Sequence, residues 1–429
     1  MATDLETPVS SATVSATPVS AAPEPDLAIG MRYVARQPIL DLHGKVHGYE
    51  LLFRDGPRAV FSGDGDLATR TMIDNAVLFG LGRLTGNLPV FLNCTEEALT
   101  GRLVHVLPAS MTVLEILETL EPAPGLISAC RHLKACGFRL ALDDFTWKPG
   151  IEPLVEIADY IKVDFVVSGK QERRELLQRL RGVTVALIAE KIETQAQYLQ
   201  ACDGGFTLMQ GFHFCRPVLM RNHKVPANRL QHIEILRILQ DETMDLHELA
   251  GLVKRDTCLT YRLLRLINSP VSAMRQEVQS VQAALIAVGE DAFRRLATLA
   301  ITSEMNAGQP VELLRMAFVR GRFCELASVF CDLHPTEQYL LGLLSLLPAM
   351  LRVSMSNLTP LLPLRDEIRR ALEGEKLPER ALLWWLEAHE RADWATCDLV
   401  TERQGLNAGD LLVCYEEAVQ WAEAALHFA

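Results

Sequence analysis

Carboxylates, amides and one lysine recur at the ends of short apolar runs in the first half of this chain. Glu50 follows "VHGY", Asn93 ends "VFL", Glu115 follows "TVL", and Asp143 and Asp144 follow "LAL". Lys162 sits in "YIKVDF", Glu190 closes "VALIA" and Gln210 follows "LM". A single polar residue at a strand end needs no special reason, because strand ends lie near solvent. Several separate runs that each deliver an oxygen ligand or a lysine suggest one shared purpose. Carboxylates packed together without cations repel strongly. Mg²⁺ or Mn²⁺, hard ions that take carboxylate and amide oxygens, would resolve that repulsion. The pair Asp143–Asp144 suits two ions roughly 3.5–4 Å apart, a device that activates water and neutralises charge in phosphoryl displacement. Neither His nor Cys stands at these positions, which argues against zinc.

Elements must bring such residues together. Between Arg32 and Pro217, runs rich in Val, Ile, Leu and Phe alternate with helical stretches: "YVARQPILDL", "VHGYELLFR", "PVFLNCT", "MTVLEIL", "FRLALDDF", "YIKVDF", "TVALIAEKIE" and "LMQGFHFCRP". Buried parallel strands read this way. Repeated βα units of this number predict a barrel or a doubly wound sheet, and a barrel gathers the C-terminal strand ends on one face. A helix is expected around 70–84. From about Asn228 the pattern is purely helical. Asp245 and Glu248 are spaced as a capping box, Asn268-Ser269-Pro270 reads as a helix stop, and Ser280 can cap "VQAALIAVG" with Gly289 at its exit. The seam falls between Pro217 and Asn228.

The chain has 429 residues, enough for two cores, with 42 basic and 54 acidic side chains and a net charge of −12. That balance disfavours a nucleic-acid groove. The ten cysteines include no C-x-x-C pair, as expected of reduced, mostly buried thiols in a cytoplasm. No apolar run reaches the ~18 residues of a membrane span. Residues 1–30, rich in Ala, Ser, Thr, Pro and Val, read as a disordered tail without signal-peptide features. The expected division is therefore tail 1–30, barrel domain 31–217 and helical domain 218–429.

"RQPILDLHGKVHGYELLFR" resembles the opening of an EAL domain, the α/β TIM-type barrel that binds and hydrolyses cyclic di-GMP. The signature tripeptide stands here as Glu50-Leu51-Leu52, and "FLNCT", "LEILE", "LDDF", "IKVD", "AEKIET" and "MQGFHF" follow in order. The resemblance implies metal ligation by Glu50, Asn93, Glu115, Asp143, Asp144 and Glu190. It makes Glu190 an alternative general base and has Lys162 orient the attacking water. Gln37, Arg54 and Gln210 would hold the dinucleotide, and Glu118 and Glu193 would support the loop. Arg54 also makes sense independently, since guanidinium matches phosphate in a bidentate way. The family's D-D-F-G-T-G departs here to Thr146-Trp147-Lys148 after Phe145, followed by Pro149-Gly150. Trp, Lys and Pro lack the backbone freedom of glycine. Lys191, where the family has Gly, is a second departure. The loop change puts turnover in question more than binding, and Lys191 is the milder of the two departures.

The helical half resembles an HDOD domain, related to HD-type phosphohydrolases but without their metal residues, through "LAGLVKRDTCLTYRLLRLINSP" and "SVQAALIAVGEDAFRRLATLAI". Gly342-Leu343-Leu344-Ser345-Leu346 replaces G-L-L-H-D, and Leu346 cannot ligate metal. His232, His247, His334 and His389 lack ligand spacing and read as surface or capping residues. "KRDTCLTYRLLRLIN" reads as a buried amphipathic helix rather than a DNA reader, while Arg315, Arg320 and Arg322 offer a weak anionic-partner signal. The expectation is a cytoplasmic cyclic di-GMP hydrolase using Mg²⁺ or Mn²⁺ that forms pGpG, with the helical half relaying to an unidentified protein partner. Neither DNA nor membrane contact is expected, and a homodimer is possible. The alternative is a non-catalytic cyclic di-GMP receptor acting through the helical half.

Overall fold

The computed structural model describes residues 32–55, 85–101, 103–211, 257–268, 278–306, 308–362 and 364–428, with a few isolated positions between 73 and 254. The predicted helix around 70–84, the Asp245–Glu248 capping box and His247 lie outside these residues apart from position 73.

Eight strands close a barrel in sequence order. They are β1 Arg32–Asp41, β2 Val46–Asp55, β3 Val90–Cys94, β4 Thr112–Ile116, β5 Arg139–Leu142, β6 Tyr160–Asp164, β7 Ala186–Glu190 and β8 Leu208–Gln210. All eight apolar runs form strands. From β2 round to β8 neighbours run parallel, but β1 is antiparallel to both β2 and β8. The first strand departs from the parallel pattern for a physical reason. Only Leu42 to Lys45 joins β1 to β2, with Gly44 at φ 75°, and so short a link permits a hairpin and no crossover.

Side chains alternate between barrel interior and helix-covered exterior. Ile39, Phe91, Val113, Ala141, Tyr160, Ile188 and Leu208 fill the interior. Leu92, Leu114, Leu140, Ile161, Ala189 and Met209 join the outer layer. The helices of eight residues or more over this layer are α1 Pro124–Ala135, α2 Lys170–Arg179 and α3 Gln195–Asp203.

The described residues beyond the barrel are mostly helical. Its helices of eight residues or more are α4 Thr257–Ile267, α5 Val281–Val288, α6 Glu290–Met305, α7 Val311–Ala327, α8 Pro335–Leu344, α9 Ala381–Glu390, α10 Trp394–Gln404 and α11 Ala408–Phe428. Ser280 Oγ accepts from Ala283 N at 3.1 Å and caps α5, and Gly289 exits it at φ 80°. α4 stops at Ile267, where Asn268 bridges both backbone groups of Val278. Leu259, Leu263, Leu266 and Ile267 of α4 are buried, while Arg262 pairs with Glu304 and Arg265 donates to His427 O. α7 and α8 pack backbone to backbone: a Cβ on Gly342 would stand 2.2 Å from Arg320 O. Among the described residues no single helix is long and apolar enough to cross a membrane.

His232 and His389 are buried, which corrects their reading as surface or capping residues. His389 is stacked on Trp385, with centroids 5.0 Å apart, and lies 4.5 Å from the Tyr415 ring. An imidazole beside aromatic rings is apolar enough to fill a core, and helical spacing alone does not reveal that. His334 takes the N-cap position of α8 without a side-chain cap bond.

Candidate functional site

Alternation explains how the polar residues meet. Asn93, Glu115, Asp143, Lys162, Glu190 and Gln210 each follow an interior apolar residue by two positions: Phe91, Val113, Ala141, Tyr160, Ile188 and Leu208. Each therefore points inward one step nearer the C-terminal end. Antiparallel β1 contributes from the other direction, with Gln37 two residues before Ile39 and paired in register with Glu50. Gln210 is held by a close backbone approach. Ile192 N donates to Gln210 O at 2.9 Å, and a Cβ on Gly211 would stand 2.3 Å from Ile192 O.

At the centre is the Lys162 ammonium. It lies 2.7 Å from Glu115, 2.8 Å from Asp143, 3.0 Å from Glu190 and 3.1 Å from Glu50. Gln210 Nε2 donates to Glu50 Oε2 at 2.6 Å and to Gln37 Oε1 at 3.1 Å. Burial opposes the charge of Lys162, yet Glu115, Glu50, Glu190 and Asp143 together hold it well above the ordinary lysine value. Burial, reinforced by Glu50, pushes Glu115 well above the carboxylate range. Glu190 rises to about 8, chiefly through burial, against the pull of Lys162 and with Asp143 and Glu50 adding to the rise.

Asp144 belongs to an adjoining cluster. Its φ is 37°, and Lys191, at φ 54°, places its ammonium 3.8 Å from Asp144 and in direct contact with Asp164. Burial raises Asp144, with Lys191 acting against it. Asp164 is held low despite burial by Lys191 and the N–H groups of Val167 and Val166. Asp164 is absent from the sequence-derived site although it stands inside "IKVD". Its signal was a carboxylate two residues beyond an expected site lysine.

The loop after Asp144 is tied down by its unusual residues. Lys148 Nζ donates to Glu118 O at 3.1 Å and Leu120 O at 2.5 Å. Trp147 meets Phe145 edge-on at 6.1 Å, with Arg179 above its ring. Glu118 is exposed and holds the loop through its carbonyl. Glu193 lines the cavity above the cluster. Arg54 lies in β2, and its side chain is outside the described residues. Of the remaining sequence-derived residues, Asn93 and Glu115 join the Lys162 cluster, while Gln37, Glu50, Asp143, Asp144, Lys162, Glu190, Glu193 and Gln210 line one cavity of about 420 Å³. Arg391 from the helical half also lines it. No barrel motif could have located that residue.

An eight-stranded barrel with a buried acidic centre, joined to a helical domain, is the class the fold and site define. Residues 87–217 match the EAL domain family and residues 228–357 the HDOD domain family. A Bacillus subtilis (strain 168) protein, named uncharacterized protein YuxH, is 32% identical over 91% of this chain and 97% of its own length. A Vibrio cholerae protein named cyclic di-GMP phosphodiesterase CdgJ is 32% identical over 91% of this chain and 92% of its own. The solved EAL domain protein of Listeria monocytogenes EGD-e is 18% identical, covering 43% of this chain and 87% of that one at a TM-score of 0.35. The chain belongs to the family of proteins that join an EAL domain to an HDOD domain.

EAL domains are metal-dependent. Among the described residues no three His, Cys, Asp or Glu side chains form a ready cation cage, because the carboxylates close on Lys162 instead. The donor set nonetheless fits hard cations. Four carboxylates facing one ammonium leave an excess of three negative charges (4 − 1) when all are ionised. Buried Asp144 Oδ1 has no hydrogen-bond partner. The Asn93 amide oxygen faces carboxylate oxygens. Exchanging O and N lets its nitrogen donate to Asp143 at 3.2 Å and Glu115 at 3.1 Å, and a cation between the oxygens would relieve the same repulsion.

Proposed function

We propose that the barrel binds cyclic di-GMP at its carboxylate-lined end and hydrolyses it to linear pGpG with Mg²⁺ or Mn²⁺. One water adds across one phosphodiester P–O bond, and the freed sugar hydroxyl takes up a proton. The observation that carries this reading is the surplus of buried carboxylate around one lysine at the floor of a cavity of about 420 Å³. A scaffold has no physical need for that surplus. The name of the Vibrio cholerae relative supports the choice of substrate.

Glu50, Asn93, Glu115, Asp143 and Glu190 would hold the first cation, and Asp144 with Asp143 the second. Bound divalent cations would supply charge neutralisation at the phosphoryl oxygens and an acidified water. The chain's own residues do the rest. Lys162 stays charged and fixes the directions of four carboxylates. Glu190, held above the ordinary carboxylate range by burial, would serve as the proton acceptor where it does not itself hold the cation. Gln37 and Gln210, bonded to each other, present amide groups at the cavity wall. Arg54 would bind a phosphate oxygen, and Glu118 and Glu193 would support the loop. The domain limits 31–217 and 218–429 and a cytoplasmic site of action belong to the same proposal, as does relay through the helical half to a protein partner.

Lys191 favours a second reading, in which the barrel is a receptor with slow turnover. Its ammonium pairs with Asp144 and competes with a cation at that position. Purified protein incubated with cyclic di-GMP and Mg²⁺ or Mn²⁺, followed by chromatography and calorimetry, separates the two readings. Product that vanishes in Glu50→Ala supports hydrolysis, and binding without product supports the receptor. Absence of both would overturn the substrate.

A further inference from the structure

Among the described residues three cations line the cavity: Lys162, Lys191 and Arg391. The first two are committed, Lys162 to four carboxylates and Lys191 to Asp144 and Asp164. Arg391 is different. It is the C-cap residue of α9, where its backbone N–H closes the helix on Ala388 O at 3.1 Å. Its exposed guanidinium makes no ion pair or hydrogen bond among the described residues. Its helix neighbours are satisfied: Arg380 pairs with Glu387 at 2.8 Å, and Glu390 takes Arg320 at 2.6 Å. An uncommitted guanidinium over a cavity with an acidic floor is suited to an occupant that brings its own negative charge.

The position of Arg391 is built. β1 and β2 place Gln37 and Glu50 inside the site, and the residues beside them, Arg36 and Tyr49, project from the opposite face. Tyr49 Oη donates to buried Glu312 at 2.9 Å, and Arg36 reaches Glu423 at 3.3 Å, both partners lying in the helical half. Arg315 joins Glu312 at 2.8 Å and also contacts Glu423. The side chains of Arg36 and Tyr49 are buried, so separating the domains would strip the Arg36 guanidinium of Glu423 and the Tyr49 hydroxyl of Glu312. On the site side, Gln37 Nε2 donates to Glu390 O at 3.5 Å, one residue from Arg391. A single hairpin thus touches the helical half from both faces, and one of those faces carries the site.

We propose that the helical domain completes the ligand pocket, with Arg391 a binding residue for the phosphodiester of the dinucleotide held on the barrel. This rests on the cyclic di-GMP reading of the site. It makes the helical half a sensor of occupancy by direct contact.

The test uses the full chain with cyclic di-GMP and Ca²⁺ in place of Mg²⁺, chromatography verifying that the dinucleotide stays intact. Calorimetry compares wild type, Arg391→Ala and Arg391→Lys. Arg391→Ala is expected to weaken nucleotide binding about tenfold or more, and Arg391→Lys to recover part of it. Mn²⁺ binding without nucleotide and the melting temperature stay unchanged in both, which a merely structural role would not produce. In wild type, nucleotide should slow amide exchange across residues 381–394. Arg391→Ala binding as tightly as wild type, with no protection at 381–394, would overturn the assignment while leaving the site's reading intact. Wild type that binds Mn²⁺ but no cyclic di-GMP would overturn both.

Discussion

The barrel centre and the helical centre are buried to a similar depth and solve the problem of charge in opposite ways. In the barrel, four carboxylates share one ammonium. In the helical half, Arg320 forms two bonds to Glu390, at 3.0 and 2.6 Å, and a third to Ser345 at 3.0 Å. Leu346 next to Ser345 is buried. The second centre balances its charge internally, so a divalent cation has nothing to neutralise there. The first is short of positive charge and has a use for cations. Arg315 and Arg322, whose spacing hinted at an anionic partner, are likewise spent within the chain, on Glu312 and Glu423 and on Glu325 and Glu417.

The largest effect expected of breaking this contrast is at Lys162. Lys162→Met removes the cation from its carboxylates and should cost about 3–5 kcal/mol, with most of the loss restored by Mn²⁺. Denaturant unfolding with and without metal checks it, and a loss that metal leaves untouched would remove the cation argument. Arg320→Met strips Glu390 of its partner at a similar cost. Its deficit should not respond to Mn²⁺.

Acidity sharpens the comparison next, with effects approaching 1.4 kcal/mol per pH unit. Glu190 binds its proton more tightly folded than unfolded, so its contribution is present below pH 4.5 and lost as pH rises towards 8. His389 is the reverse: burial lowers it to about 3, so the unfolded chain takes up the proton first. Stability from His389 is present above 6.5 and falls as pH drops towards 3. Unfolding free energies from pH 5 to 8 should therefore lose their alkaline decline in Glu190→Gln and their acid decline in His389→Phe.

The smallest effect concerns the loop. Gly-Thr-Gly in place of Thr146-Trp147-Lys148 forfeits the Lys148 bonds to Glu118 and Leu120, costing about 1 kcal/mol. Turnover should rise, because glycines restore backbone freedom to the loop that follows the paired aspartates. Flat turnover with intact binding would move the cause to Lys191, and Lys191→Gly is the variant that tests it.

The sequence by itself determined what is local. Continuous apolar runs state which residues form strands, and a polar residue within or at the end of each run stands out against them. That is why Glu50, Asn93, Glu115, Asp143, Lys162, Glu190 and Gln210 were all legible. Caps at Ser280 and Gly289 are local in the same sense. Only tertiary structure decided the rest. Lys162 as a hub, the diversion of Asp144 towards Lys191, the burial of His389 and the arrival of Arg391 over a barrel far away in the chain depend on which surfaces pack together. Periodicity describes one element at a time, whereas these contacts join elements whose separation along the chain leaves no pattern to read.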